Sequence, residues 1–388
     1  MSTRKVWPAE LDTYEDPISG VKVHQLTRYR CNSYHLYFTS NGWHDDGRRL
    51  LFVSDRDNRT NLFSVEIASG EITQITDLDP ADGNAGMLSA APNWARNEVY
   101  FIQGGKLMAA EVATGAVRNL YAAADGFRCG SYSATADGRF VCMAETEERP
   151  EIRKGPGYEG FPEMEKARPL CRIKKIAVDG SGAETVWEEQ RWITHVNTSP
   201  TLPNITTFCH EGPWTVVDHR IWVLDIDTGS AHKVRERTHP NEAIGHEYWH
   251  ADGVHIGYHG HHPELGKLFG CVKHDGSDPR EVQFPHETGH IHSNDYSMVV
   301  GDGQKGTIWV RLWKWNGTDF DGPKVLCRHR SSFHTQVAHV HPRFSPDGTQ
   351  VDYTSDTLGY CNVYVAEVPG FDSLPDVDEV DPNGNRRV

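Results

Sequence analysis

The chain has 388 residues and a formal net charge of −15, from 39 Lys and Arg against 54 Asp and Glu. This negative balance argues against a general binder of phosphate backbones, so no nucleic-acid partner is expected. The amino-terminal residues lack the apolar core of a signal peptide, and no run approaches the roughly twenty apolar residues of a membrane span. A cytoplasmic protein without a membrane partner is the expectation.

Strand-like segments dominate the pattern. The 36 glycines, 11 tryptophans, 14 tyrosines and 14 phenylalanines accompany short apolar runs that are punctuated by turn residues, which favours an all-β fold. The 8 cysteines form no C-x-x-C pair and mostly occupy apolar contexts. They are predicted to be reduced core residues rather than zinc ligands or disulfides.

A repeat unit is readable from Trp43 to Asp77, as a strand end, an Asp-Gly turn, a strand, a polar turn, a strand, a glycine turn and a strand. Weaker copies follow, and the same order of strands and turns returns clearly from Arg343 onwards, in RFSPDGTQVDYTSD. Counting all copies gives seven units at a spacing of roughly 40 to 60 residues. The pattern predicts one domain over residues 1–388, a seven-bladed β-propeller with four-stranded antiparallel blades.

Both ends of the chain are expected to contribute strands to the last blade. After VYVAEV the last unit has no fourth strand and continues into an acidic tail at residues 370–388. Residues 20–27, GVKVHQLT, match the fourth-strand phrase of the first unit, so they are expected to complete the last blade and close the ring. The polar stretch at 145–170 is too long for a hairpin loop and is expected to be a solvated insertion, with a lid as the alternative.

Histidines are distributed unevenly, because nineteen of the 22 lie between residues 195 and 341. When the units are aligned on their Asp-Gly turns, four histidines take the same place: His195, His246, His290 and His341. The first strand of each blade lines a propeller's central channel, so these imidazoles are expected to converge. Strand alternation should put His339 on the same face as His341, and Gln336 can reach the same place from the incoming loop.

Such a set of side chains suits a metal ion. A single histidine at this position would have a structural role, whereas five convergent histidines favour a functional site. Neutral imidazoles with one amide oxygen form a borderline donor set for Mn²⁺, Fe²⁺, Ni²⁺ or Zn²⁺ and leave positions for water or a substrate oxygen. Since no carboxylate belongs to the motif, the bound metal would keep its positive charge and attract an anion.

Several motifs carry a resemblance to a known family: FCHEGP (208–213), HRIWVLDIDTG (219–229), GHEYW (245–249), GHIHSN (289–294), VGDG (300–303) and QVAHVHPRFSPDG (336–348). With these motifs the chain resembles the oligogalacturonate lyases, seven-bladed propeller enzymes that cleave short pectin fragments in the bacterial cytoplasm. The resemblance implies a site of the Mn²⁺ type with these ligands: His290, Gln336, His339 and His341. It also implies that His246 is the proton-abstracting base and that Arg220 lies beside the substrate carboxylate. His210 and His195 are expected to contact the substrate or to support the site.

The implied reaction is a β-elimination on an anionic uronate oligosaccharide, which gives a 4,5-unsaturated product. The C5 proton is weakly acidic because its neighbouring carboxylate is already negative, so a metal and an arginine would stabilise the developing charge. A histidine with a pKa of about 6.5 can act as the base near neutral pH. Trp214 and the cluster His259, His261 and His262 depart from the family pattern and put the substrate's identity in doubt.

Two other functions fit parts of the pattern. A lyase or hydrolase for another uronate, such as a glucuronate linked to rhamnose, could use the same scaffold. A non-catalytic propeller of the periplasmic translocation type shares the SPDG turns, but it predicts no bound metal and gives no reason for convergent histidines. The sequence does not indicate which oligomeric state the protein has.

Overall fold

The computed structural model describes residues 5–83, 88–152, 155, 158–304 and 306–380. Seven sheets follow one another along these residues, and all their strand pairs are antiparallel. Each sheet is built from short strands, most of which are joined by short turns, as in the blades of a propeller. The fold is therefore a seven-bladed β-propeller, which confirms the predicted fold class.

The strands have the following bounds in chain order. Those before residue 80 are β1 (Val6–Trp7), β2 (Asp12–Glu15), β3 (Lys22–Gln25), β4 (Ser33–His35), β5 (Trp43–His44), β6 (Arg49–Ser54), β7 (Asn61–Glu66) and β8 (Ile72–Gln74). Those up to residue 200 are β9 (Ala90–Asn93), β10 (Glu98–Gln103), β11 (Lys106–Glu111), β12 (Val117–Ala122), β13 (Phe127–Ala134), β14 (Phe140–Glu147), β15 (Leu170–Ala177), β16 (Ala183–Gln190) and β17 (Ile193–Thr198). The rest are β18 (Ile205–His210), β19 (Ile221–Asp225), β20 (Ser230–Lys233), β21 (Ala243–Trp249), β22 (His255–His262), β23 (Gly266–Lys273), β24 (Arg280–Gln283), β25 (Ile291–His292), β26 (Met298–Gly301), β27 (Trp309–Trp315), β28 (Phe320–Arg328), β29 (Arg343–Phe344), β30 (Gln350–Ser355) and β31 (Asn362–Glu367). Helical segments are α1 (Phe161–Ala167) and 3₁₀ turns at Arg56–Asn58, Pro80–Asp82, Gln336–Ala338, Phe371–Ser373 and Val377–Glu379.

The chain divides into two compact units, and the first contains three sheets from residues 1–89 and 284–388. Their strand orders are β1-β8-β7-β6-β4 with β5 on β6, then β25-β26-β27-β28, then β2-β3-β31-β30-β29. In the last sheet β3 pairs with β31, where Val23 lies opposite Ala366 and Gln25 opposite Tyr364. The predicted completion of the last blade by the amino-terminal strand is confirmed. The additional strands β1 and β2 were not predicted, whereas β5 is the strand end with which the first repeat unit was predicted to begin.

The inner strands of these sheets are buried on both faces, as the consecutive buried residues of β6, β7, β30 and β31 show, and their apolar side chains form the core of the first unit. Val23, Val351 and Phe344 lie in one apolar cluster with Phe371 and Leu374 of the acidic tail. Burial of each such side chain stabilises the fold by about 1.5–3 kcal/mol. The described part of the tail therefore packs on the sheets, while residues 381–388 lie outside the described residues.

The second unit contains four sheets from residues 90–111 and 117–283. Their orders are β12-β11-β10-β9, β13-β14-β15-β16, β17-β18-β19-β20 and β21-β22-β23-β24, each a simple meander. The polar stretch 145–170 joins β14 to β15 and contains α1. Met164 of α1 is buried in an apolar cluster, and the Phe161 ring lies 4.9 Å from that of Trp192. Part of the expected solvated insertion is thus a packed helix, because its apolar residues recur at helical spacing; residues 153, 154, 156 and 157 lie outside the described residues.

All eight cysteines are free thiols, of which seven are buried and Cys129 is half-buried, as predicted. In the described part of the chain, no helix has both the length and the apolar character that a membrane span requires.

Candidate functional site

Three histidines of the first unit form a cluster with the spacing of a metal site. His290, His339 and His341 each offer a ring nitrogen within 4.8 Å of the others. The His290 and His341 rings are 4.1 Å apart between centroids, and the His339 ring lies 5.4 Å from each of them. His290 and His341 are buried, and His339 is half-buried. The structure therefore brings together the three imidazoles that the sequence predicted as ligands.

The backbone that presents His339 and His341 is not a strand. Residues Gln336–Ala338 form a 3₁₀ turn, and β29 begins only at Arg343. His341 has a left-handed backbone with φ of 44°, and its carbonyl accepts a hydrogen bond of 2.8 Å from Nε2 of the buried His35. The expectation that strand alternation aligns the two imidazoles was wrong, because a turn and a left-handed residue align them instead.

Gln336 reaches the same cluster from the start of the 3₁₀ turn. Its amide nitrogen Nε2 lies 3.4 Å from Nε2 of His341, and its side chain is exposed. Rotation of the amide would present the carbonyl oxygen, the only amide atom that can act as a metal ligand. Gln336 therefore lies beside the cluster, and its role as a fourth ligand stays a prediction.

Asp302 holds the imidazole of His290 in one orientation through its Nδ1 nitrogen. The sequence did not reveal this role. The carboxylate is fully buried, accepts a hydrogen bond of 2.7 Å from Nδ1 of His290 and accepts a second of 2.8 Å from the His290 backbone N–H. Burial alone would raise the pKa of Asp302, but the neighbouring His290 outweighs it and the pKa lies below its usual range. An ionised carboxylate that accepts from Nδ1 leaves Nε2 as the ligand nitrogen of His290.

The cluster fits a borderline divalent metal. Burial, followed by the charge of His290, lowers the pKa of His339, so its imidazole keeps a lone pair at neutral pH. Nδ1 of His339 is buried and has no hydrogen-bond partner among the described residues. Aromatic rings surround the cluster, with Tyr37 at 4.8 Å from His341 and Phe333 at 5.3 Å from His339. Neutral nitrogen donors with one amide oxygen, held in an apolar wall, suit Mn²⁺ or a similar ion.

Arg220 lies in the second unit between two buried glutamates. Its Nη1 donates to Glu211 at 2.6 Å and its Nε to Glu247 at 3.4 Å, while Nδ1 of His195 lies 3.1 Å from Glu247. Burial would raise the pKa of both glutamates, but Arg220 and His195 lower both, that of Glu247 to about 2. His195, Cys209 and Glu247 also have metal-ligand spacing, but Glu247 is already paired with the Arg220 guanidinium. This geometry favours an ion-pair network over a second metal.

His210 is buried and held by carboxylates of the chain itself. Its Nδ1 lies 2.9 Å from Asp218 and its Nε2 lies 2.9 Å from Glu189, and its ring packs against Trp222 at 4.8 Å. Burial would lower the pKa of His210, but the two carboxylates outweigh it and the pKa is raised. A direct contact with substrate stays a prediction for this residue.

His246 lies on a bulge in β21. The pairing of β21 with β22 shifts between Gly245 and Tyr248, and His246 has a left-handed φ of 52°. His195 has the same left-handed conformation, with φ of 51°, at the bulge of β17. Such a conformation costs of the order of 1–3 kcal/mol in a residue other than glycine, and bulges re-aim side chains beside functional sites. The position that His195 and His246 share in the repeat unit is therefore a β-bulge.

Two side chains that the family pattern did not explain surround His246. Nδ1 of His246 lies 2.8 Å from Nε2 of the buried His259, and the edge of Trp214 meets the His246 ring at 4.8 Å between centroids. A Cβ on Gly245 would lie 2.6 Å from the Trp214 indole, so only glycine fits beneath that ring. The same indole lies 5.4 Å from the Arg220 guanidinium. Trp214 thus contacts both side chains that the sequence assigned to the reaction.

The predicted residues therefore fall into two sets. His290, Gln336, His339 and His341 meet within the first unit. Arg220 and His195 share Glu247 within the second unit, which also contains His246 and His210. Convergence of both sets on one site stays a prediction.

Comparison with known proteins identifies the family. The sequence model of the oligogalacturonate lyase family matches residues 1–373. The oligogalacturonide lyase of Pectobacterium atrosepticum is 26% identical over 391 residues, which cover 93% of this chain and 97% of that protein. The oligogalacturonate lyase of Dickeya dadantii is 27% identical over 381 residues, which cover 92% of this chain and 96% of that protein.

Two solved structures share the fold. One is an oligogalacturonate lyase in complex with manganese, 24% identical with a TM-score of 0.84 over 95% of this chain and 99% of that one. The other, from Vibrio parahaemolyticus, is an oligogalacturonate lyase that is 23% identical, with the same TM-score and coverage. On the match of residues 1–373, the chain belongs to the oligogalacturonate lyase family of enzymes.

Proposed function

We propose that this enzyme is a metal-dependent lyase that cleaves oligogalacturonides by β-elimination and leaves a 4,5-unsaturated uronate at the new non-reducing end. The observation that carries the proposal is the three-histidine cluster with its buried Asp302. The names of the curated relatives and the manganese in a related structure support the same substrate class and cofactor. A cytoplasmic location and the absence of a nucleic-acid partner stay predictions from the sequence.

His290, Gln336, His339 and His341 would hold the metal, most simply Mn²⁺. When bound, a divalent cation supplies positive charge that stabilises the enolate-like dianion formed next to the substrate carboxylate. Asp302 sets the tautomer of His290, and the surrounding rings limit the access of water. These contributions prepare the donor set before substrate arrives and reduce the reorganisation that binding requires.

His246 acts as the base in this proposal. Its neutral imidazole accepts the C5 proton, and the electron pair of the C5–H bond forms the C4–C5 double bond. The C4–O bond breaks, and the sugar oxygen leaves with its electron pair and takes up a proton from solvent. Arg220 binds the uronate carboxylate through Nη2, since its hydrogen bonds within the described residues use Nε and Nη1. Glu211 and Glu247 hold the guanidinium in place, and His195 and His210 are further proposed supports of the sugar site.

Purified enzyme with Mn²⁺ and digalacturonate or trigalacturonate tests the proposal. The expected result is a rise in ultraviolet absorbance from the conjugated product, together with product masses that sum to the mass of the substrate. Products heavier by one water would indicate a hydrolase instead. Activity only on another uronate, such as a rhamnose-linked glucuronate, would reassign the substrate, and inactivity on every uronate with Mn²⁺ bound would refute the proposal.

A further inference from the structure

His259 is placed to control the protonation of His246. The two residues belong to adjacent strands of one hairpin, β21 and β22, and Nδ1 of His246 lies 2.8 Å from Nε2 of His259. Their ring planes differ by 17° and their centroids are 5.1 Å apart. Because the centroid separation exceeds the nitrogen separation by about two ring radii, the hydrogen bond lies in the plane of both rings. This is the geometry of a well-aligned hydrogen bond rather than of two stacked rings.

The surrounding structure holds this pair in a fixed orientation. His259 is buried, whereas His246 is half-buried, so the outer imidazole of the pair is the one placed to meet a substrate. Trp214 packs edge-on against both rings, at 4.8 Å from His246 and 6.5 Å from His259. Gly245 lies opposite His259 in the hairpin, and its lack of a Cβ makes room for the indole. The bulge, the indole and the buried partner together restrict rotation of His246.

We propose that His259 is a positioning residue that keeps the proton of neutral His246 on Nδ1 and so makes Nε2 the basic nitrogen. The inference rests on the proposed function, in which His246 removes the C5 proton. A ring nitrogen can accept a proton only when its lone pair is not already protonated, and the hydrogen bond of one imidazole nitrogen sets the state of the other. With Nδ1 of His246 directed at His259, proton transfer from the substrate goes through Nε2.

The same contact assists the reaction after proton transfer. His246 then becomes an imidazolium, and its Nδ1–H bond to the neutral His259 nitrogen becomes charge-assisted. His259 must therefore act as the acceptor and carry its own proton on Nδ1. The residue touches His246 and is proposed to act only through it, so its loss should reduce kcat and leave KM unchanged.

Substitution of His259 by an acceptor and by a non-acceptor tests this role. His259→Gln offers a carbonyl oxygen to Nδ1–H of His246, whereas His259→Phe keeps a planar ring without an acceptor. We expect His259→Phe to lower kcat by about 10- to 100-fold, as loss of an orienting partner does elsewhere, with KM within about twofold of the wild type. His259→Gln should recover most of kcat. The matched control is His261→Phe, an exposed position two residues along the same strand, which should leave kcat unchanged.

Nitrogen-15 NMR of histidine-labelled enzyme gives a readout that does not depend on the substrate, with the His246 signals assigned by their absence in His246→Gln. The expected result is an Nδ1–H tautomer of His246 in the wild type and a shift towards Nε2–H in His259→Phe. A wild-type His246 protonated on Nε2, or the same tautomer in both proteins, would overturn the inference. If the enzyme cleaves no galacturonide, the proposed function fails, yet the tautomer measurement still decides the role of His259.

Discussion

Replacement of Asp302 by asparagine should weaken metal binding without unfolding the protein. In the structure the carboxylate accepts from Nδ1 of His290 at 2.7 Å and from its backbone N–H at 2.8 Å. An asparagine oxygen can keep the backbone bond, but the amide NH₂ then meets Nδ1 and favours the tautomer with a proton on Nε2, which cannot bind a metal. Loss of such an orienting partner usually costs 10- to 100-fold in metal affinity. This corresponds to about 1.4–2.8 kcal/mol.

Calorimetric titration of Mn²⁺ into metal-depleted protein measures this loss directly. Asp179→Asn is the control, because Asp179 is exposed and accepts a backbone N–H from Ser181 at 2.9 Å that asparagine can also accept. Thermal unfolding of the metal-depleted variants separates an effect on affinity from one on the fold. Unchanged Mn²⁺ affinity in Asp302→Asn, with both proteins folded, would refute the assignment of Asp302 as the partner that orients His290.

Three further results are expected from single substitutions. His339→Ala should lose Mn²⁺ binding in the same titration, since it removes one of three clustered imidazoles, and tight binding by the variant would exclude His339 as a ligand. His246→Ala should bind Mn²⁺ normally and show no turnover in the absorbance assay, and retained turnover would exclude it as the base. His210→Gln tests the pairing with Asp218 and Glu189, which raises the pKa of His210. That stabilisation is complete below the unfolded pKa of about 6.5 and is lost as pH rises through the folded value, so urea unfolding should show a larger destabilisation near pH 5.5 than near pH 9. An equal destabilisation at both pH values would contradict the stabilisation of protonated His210 by these two carboxylates.

The blades were predictable from the sequence because their signals are local. Short apolar runs and turn residues recur from unit to unit, and the match between residues 20–27 and the end of the first unit identified the strand that completes the last sheet. The histidine cluster followed from the same alignment. Its detailed geometry did not, because His339 and His341 are aligned by a turn and a left-handed residue rather than by strand alternation.

The supporting residues were missed where their partners are not adjacent in sequence. Asp302 and Glu247 both occur in motifs that marked the family, but a motif does not show which buried cation or imidazole each carboxylate meets. His259 could have been found, because counting outward from the turn at Asp252 and Gly253 places it opposite His246. The bulge after Gly245 shifts the strand pairing by one residue, yet the two side chains still meet.

Pairing of β3 with β31 joins strands that are more than three hundred residues apart in the chain, as the contact of Gln25 with Tyr364 shows. During synthesis β3 emerges early and can pair with β2, but its other edge has no partner until β31 has left the ribosome. The closure entropy of a loop grows slowly with its length, so this separation limits the rate of folding more than the final stability. The edge of β3 is therefore exposed to wrong pairing for most of translation, and full-length chains should gain their cooperative stability only in the last step of assembly.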